Sequence, residues 1–309
     1  MMFTTVTLNP AVDKTYTVAR LLLGQVNRMD SVKNIAGGKG INVTKVLREY
    51  GFEVKAMGFL GGYTGSFIED YVDKIGGKCC FTHVKGETRS SINILAQDGY
   101  VTEVLEPGPE ISDQELAQFY IDYEREIQDS ELVILSGSAP ASVPVSVYGN
   151  LIAKAKEQGK KVLLDSSGEY LRQGVNASPF MVKPNGKELE MLAGKKIRGL
   201  EDTIRAAISL SERGISHVLV SMGAKGLLYV SEEQILYAKA PRVKAVNTVG
   251  CGDSVVAAFA MAYAKNISGE ELLRYCVGLS AANATTLESA VIPMEKAQEL
   301  MEEVQIERY

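Results

Sequence analysis

Toward its C-terminal end the chain reads Asn247-Thr248-Val249-Gly250-Cys251-Gly252-Asp253-Ser254 and runs on into Val255-Val256-Ala257-Ala258-Phe259-Ala260-Met261-Ala262. A turn of small residues feeding an apolar helix, with one carboxylate at the junction, has the parts of an anion site. The first N–H groups of a helix lack internal partners and carry partial positive charge. Glycines at 250 and 252 let the backbone approach an anion with no side chains in the way. At a helix start Asp253 is expected to stay ionised, because the dipole favours its charged form. The same setting is expected to lower the pKa of the Cys251 thiol. An anion hole beside an ionised carboxylate suits the removal of a hydroxyl proton while charge builds on a transferring phosphoryl group. A glycine turn with an Asp near a helix cap is also an ordinary structural device, so the other loops must decide.

Those loops repeat the theme. Gly37-Gly38-Lys39-Gly40 leads into Ile41-Asn42-Val43, a second glycine-rich helix start that adds a lysine and an asparagine. Asn9-Pro10-Ala11-Val12-Asp13 follows the first strand-like run, where α/β sheets place ligand groups. Lys183-Pro184-Asn185-Gly186-Lys187-Glu188 follows another, and Asn185 and Glu188 share one face if a helix begins there. Ser221-Met222-Gly223-Ala224-Lys225-Gly226 joins two strands. Each has a bland reading as a turn, an Asx-turn or a first-turn Glu serving a helix dipole. All of them together at strand ends are hard to explain as punctuation.

Several chemistries are excluded. No Gly-Lys pair precedes Ser or Thr, so there is no P-loop. Val255 and Val43 stand where a dinucleotide fingerprint needs its third glycine. His83 and His217 are the only histidines, and their separation argues against a zinc site or a His-dependent triad. The four cysteines include the adjacent Cys79 and Cys80 and make no metal or disulfide pattern. A net charge of −5 argues against nucleic acid and anionic membranes as partners. Nothing resembling a signal peptide precedes Phe3-Thr4-Thr5-Val6-Thr7-Leu8, and the apolar run from Val255 is too short to span a bilayer. A cytoplasmic enzyme is the expectation.

The elements that must carry these loops alternate. Strand-like runs fall at 3–8, 54–60, 131–136, 161–165, 180–183, 217–221 and 226–230. Between them Val43, Val46, Leu47 and Tyr50 keep helical spacing up to Gly51. Leu116, Phe119, Tyr120, Tyr123 and Ile127 do so after a capping box at Ser112 and Glu115, and a second box is expected at Ser268 and Glu271. Such alternation predicts an α/β fold of three layers, with a mainly parallel central sheet between helices. At 309 residues, 46% of them hydrophobic, a single domain spanning 1–309 is expected. Residues 12–35 and 87–105 break the rhythm and predict a small β-sheet lid drawn from discontinuous pieces.

Read together, these segments resemble the PfkB (ribokinase-like) family of sugar kinases from about residue 3 to 300. Gly37–Val43 resembles its N-terminal signature and Asn247–Asp253 its C-terminal one. Thr7–Asp13, Gly86-Glu87-Thr88-Arg89 and Pro107-Gly108-Pro109 resemble the branch that contains 1-phosphofructokinase and tagatose-6-phosphate kinase. The resemblance implies ATP and Mg²⁺, with Asp253 as the base for the acceptor hydroxyl and Gly250, Cys251 and Gly252 as the anion hole. It implies Asn185 and Glu188 organising the metal through water, and Lys183, Ser221, Gly223, Gly226 and Asn283 along the nucleotide, Asn283 near the adenine. Asp13, Gly38 and Asn42 would hold sugar hydroxyls, with Ser138 lining the same cleft. Lys39 and Arg89 would meet a phosphate already on the sugar. A homodimer through the lid is a further expectation.

Two positions depart from the family pattern. Asn247 replaces its usual Asp, which removes a charge near a monovalent-cation site, so activation by potassium is not expected. Cys251 replaces its usual Ala. Three readings therefore compete: a kinase for a ketohexose phosphate, favoured by Lys39 and Arg89; a kinase for an unphosphorylated sugar or nucleoside; and a non-catalytic ligand-binding relative, against which Asp253, Asn185 and Glu188 count. Within the first, the residues around Arg89 lean toward tagatose 6-phosphate, and those of Gly40–Val43 and Ser166–Glu169 toward fructose 1-phosphate.

Overall fold

Side chains that alternate between two apolar cores organise the molecule. In a computed structural model describing residues 1–309, Leu132 and Ile134 enter one core of 34 buried residues, and Val133 and Leu135 enter another of 34. A strand buried on both faces reads as a continuous apolar run, and this one does.

The first half of the chain contains β1 (Met2–Thr7), β2 (Ala11–Val18), β3 (Ser31–Gly37), α1 (Lys39–Glu49), β4 (Glu53–Leu60), α2 (Gly62–Lys74), β5 (Lys78–Cys79), β6 (Thr82–His83), β7 (Arg89–Ala96), β8 (Val101–Leu105) and α3 (Asp113–Glu126). Then follow β9 (Leu132–Ser136), α4 (Val147–Glu157), β10 (Lys161–Asp165), α5 (Gly168–Asn176), β11 (Met181–Val182), α6 (Gly186–Ala193) and α7 (Gly199–Ser211). The last third holds β12 (His217–Ser221), β13 (Leu227–Ser231), β14 (Ile235–Lys239), α8 (Cys251–Ala264), α9 (Gly269–Ala284), α10 (Met294–Glu303) and β15 (Gln305–Arg308).

The large sheet has 11 strands in the order β15-β14-β13-β12-β11-β10-β9-β1-β4-β5, with β6 also on β4. It is parallel from β5 to β12 and antiparallel from β12 to β15. The mainly parallel α/β sheet thus agrees with the sequence reading. Its antiparallel end, β14 and β15, lies beyond the seven strands expected. A separate four-stranded sheet, ordered β3-β2-β7-β8, is the smaller second sheet.

Ser112 and Glu115 form the expected reciprocal capping box. Ser268 and Glu271 do not: Gly269 turns left-handed at φ +59°, and the Ser268 side chain caps nothing. No helix is long and apolar enough to cross a membrane.

Candidate functional site

The Gly250 turn delivers Asp253 to a buried position in the first turn of α8. Gly250 takes φ +85°, and a Cβ there would stand 2.9 Å from the Ala290 nitrogen, so glycine is required. Helix α8 starts at the next residue, and no protein group accepts from the N–H groups of Gly250, Gly252 or Asp253. The Cys251 N–H instead meets the Thr248 carbonyl at 3.3 Å, so the free donors are those of residues 250, 252 and 253. Asn42 Nδ2, from the first turn of α1, donates to Asp253 Oδ2 at 2.8 Å.

Burial reverses the expected direction of two pKa shifts. Asp253 is 5% exposed, and its pKa rises to about 6, first through desolvation and then through the like charge of Asp165. Lys39, Asn42 and Lys183 pull it back, and the helix end does not outweigh the burial. The carboxylate is therefore ionised only above about pH 6. The Cys251 thiol is likewise pushed up, by desolvation, although Asn283 and Ser280 bond to it.

Asp165, at the end of β10, is the central residue the sequence did not single out. It is fully buried and lies between Lys39 Nζ at 3.1 Å and Lys183 Nζ at 3.4 Å. Both lysines hold its carboxyl below the usual range despite the burial. Lys39 therefore faces Asp165, Asp253 and Glu188, while the charges facing Arg89 are Asp13 and Glu106. Lys39 thus pairs with Asp165, whereas Arg89 is held by the Asn9 and Glu106 carbonyls.

Arg89 opens β7 beside β2, whose parallel register pairs Ala11 with Arg89 and Asp13 with Ser91. The guanidinium donates from Nε to the Asn9 carbonyl at 3.2 Å and from Nη1 to the Glu106 carbonyl at 3.4 Å. Nη2 is free. Desolvation raises the Asp13 carboxyl while Arg89, Lys45 and Ser91 lower it. The Gly37–Gly38 turn passes so close that a Cβ on Gly37 would fall 2.0 Å from Asp13 Oδ2. That turn continues into α1 and so joins Asp13 and Gly38 to Asn42 and Asp253. Ser138 is exposed next to Gly137, whose added Cβ would touch Lys39 Cβ at 3.7 Å.

On the other side of Gly252 a cleft of about 670 Å³ is lined by Asn185, Ser221, Gly223, Gly226, Thr248, Cys251 and Gly252, with Val243, Val255, Val277 and Ala281 as apolar walls. Gly226 must be glycine, since φ is +117° and a Cβ would sit 1.9 Å from the Ala238 carbonyl oxygen. Asn283 stands behind this cleft instead of lining it. Its Nδ2 donates to the Val249 carbonyl (3.0 Å) and its Oδ1 accepts from the Ala290 N–H (2.7 Å), which uses the amide to fasten the glycine turn. Asn247 is also spent locally, on the Leu287 carbonyl and the Val249 N–H.

Asn185 and Glu188 form a capping box at the start of α6, with bonds of 2.8 and 3.0 Å. Asn185 Oδ1 and Glu188 Oε2 are engaged, which leaves Glu188 Oε1 and Asn185 Nδ2 without a protein partner. No group of three or more His, Cys, Asp or Glu side chains could hold a metal directly. One free carboxylate oxygen fits magnesium as an outer partner through water, since that ion usually keeps several waters and takes its remaining ligands from phosphates.

The profile of the pfkB family carbohydrate kinases matches residues 6–297. The chain is 37% identical over 307 residues to a 1-phosphofructokinase of Bacillus subtilis, covering 99% of this chain and 100% of that one. It is 35% identical over 308 residues to a tagatose-6-phosphate kinase of Staphylococcus epidermidis, covering 99% of each. Among solved structures it resembles phosphofructokinase-2 of Escherichia coli in complex with substrates and products, with a TM-score of 0.91 and 27% identity over 98% of this chain and 99% of that one. That enzyme has also been solved with potassium and in a tetrameric inhibited form.

Proposed function

The chain belongs to the pfkB family of carbohydrate kinases, and we propose that it transfers the γ-phosphoryl group of ATP to a hydroxyl of a ketohexose phosphate, giving a ketohexose bisphosphate. The observation that carries this reading is the half-buried Arg89 guanidinium with a free Nη2 beside Asp13, joined to Asp253 through the Gly37–Asn42 turn. An unphosphorylated sugar offers no anion for such a fork.

Asp253, held by Asn42, takes the proton from the acceptor hydroxyl. The acceptor oxygen bonds to the γ-phosphorus as the bond to the bridging oxygen breaks, and that electron pair leaves with ADP. The N–H groups of Gly250, Gly252 and Asp253 receive the charge that develops on the phosphoryl oxygens. Asp13 fixes a sugar hydroxyl, with Gly38 and Ser138 at the rim, and Arg89 takes the existing phosphate. Ser221, Gly223 and Gly226 lie along the nucleotide, and Lys183 reaches it beside Gly252. Glu188, fixed by its capping box with Asn185, would hold magnesium through water, and the ion would supply positive charge to the phosphates. Assaying ATP consumption against fructose 1-phosphate, tagatose 6-phosphate, fructose 6-phosphate and free fructose tests the reading. Turnover confined to free fructose would remove it.

The small sheet serves as a lid and as the face of a homodimer. Cross-strand register puts Tyr16, Val32, Ile92, Ile94 and Val104 on the face opposite Asp13, and Val32 and Val104 are 55% and 49% exposed. Sedimentation should give about twice the 33.5 kDa of one chain, and Val104→Glu should return it to one. A wild type that sediments as a single chain sinks the dimer.

A further inference from the structure

Asp165 is wholly buried, outside both glycine-rich turns, and flanked by two ammonium groups. Its Oδ1 accepts from Lys39 at 3.1 Å, but its Oδ2 has no hydrogen-bond partner, with Lys183 Nζ at 3.4 Å. Lys183 is 4% exposed, and apart from the 3.4 Å contact with Asp165 its Nζ reaches no protein acceptor. A buried ammonium with unspent donors is costly unless an acceptor comes within reach. Those donors lie beside Gly252: a Cβ there would stand 3.1 Å from Lys183 Nζ. Lys183 Nζ thus lies against the turn whose backbone N–H groups at 250, 252 and 253 have no protein acceptor.

We propose that Asp165 is a positioning residue that holds Lys39 on the acceptor side and Lys183 on the nucleotide side of the transferring phosphoryl group, where the two ammonium groups neutralise its developing charge. This rests on the kinase reading above and moves Lys39 away from the phosphate already on the sugar. Without a carboxylate between them the two cations repel each other and drift from that point. As the bond from the acceptor oxygen to phosphorus forms and the bond to the ADP oxygen breaks, negative charge spreads over the three equatorial oxygens. Contacts that strengthen only then raise kcat and leave KM little changed.

Asp165→Asn keeps the shape and removes the charge. It should lower kcat by roughly 10²-fold or more, with KM for ATP and for the sugar phosphate each within about threefold of wild type. Because this substitution leaves the buried Lys183 ammonium without its carboxylate, Lys183→Met is the second variant and should show the same split if Asp165→Asn does not fold. Inhibition by MgADP with aluminium fluoride, which imitates the transferring group, should weaken in step with kcat while MgADP alone binds normally. An unchanged kcat in a folded variant, or a loss that falls on KM, overturns the proposal. If the wild type uses only an unphosphorylated sugar, the acceptor reading fails and the same split, measured with that sugar, still decides the role of Asp165.

Discussion

The two sides of the cleft are built differently. Asp253, Asp165 and Lys183 stand on the large sheet or at a helix that packs on it, each 5% exposed or less. Asp13 and Arg89 stand on the four-stranded sheet, partly exposed, and Arg89 is anchored only through backbone carbonyls. The first side strengthens electrostatics by excluding water and shifts the pKa of its base. The second keeps charges near solvent, where an ionic ligand can enter and leave. Chemistry is fixed in the core, and recognition sits on a thinner element at its edge.

Removing the base is the severest way to break that contrast. Asp253→Asn should lower kcat by roughly 10²-fold or more and leave ATP binding nearly intact, as read by steady-state kinetics and calorimetry. Burial holds the Asp253 pKa at about 6, above the ordinary 3.8, so folding disfavours its ionised form at pH 7. The Asn variant should therefore melt at or above the wild-type temperature, and near-normal turnover would take Asp253 out of its role. On the recognition side, Arg89→Ala should raise KM for the sugar phosphate by about 2 kcal/mol, roughly 30-fold, and barely move KM for ATP. Equal effects on both substrates would erase the division between the two sides.

A pH profile sharpens the contrast more gently. The base works when deprotonated, so kcat should halve near pH 6 and fall about tenfold per unit below it. A flat profile down to pH 5 contradicts the buried, raised carboxylate. The smallest effect concerns Asn247, whose amide is committed to Leu287 and Val249. Exchanging potassium for sodium at constant ionic strength should change kcat less than about twofold. A strong dependence on potassium would show that the missing charge at 247 is supplied elsewhere.

Local signals were legible where one segment carried its own partner. The Ser112–Glu115 box, the helix ending at Gly51 and the Gly250 turn each need only a few consecutive residues. The Asn185–Glu188 pair was seen as a candidate ligand set but is also a capping box, because Asn can cap as Ser does. Asp165 read as the end of a strand, since its partners lie far away at 39 and 183. The edge strand β14 escaped because it follows β13 in an antiparallel hairpin, which needs no crossover helix, and β15 because it is a four-residue strand at the end of the chain with no strand after it. The charge states of Asp253 and Cys251 depend on burial by distant segments, which a helix-end argument leaves out.

The position of β1 also bears on synthesis. It lies in the middle of the large sheet, hydrogen-bonded to β4 on one side and to β9 on the other. The β4 side can pair early, but β9 emerges about 70 residues after β4 ends. At ribosomal speeds that interval is roughly 4–14 s, against microseconds for local hairpins. For those seconds the Phe3–Val6 edge that β9 will cover lies bare, and the nascent chain is most open to pairing with the wrong neighbour there.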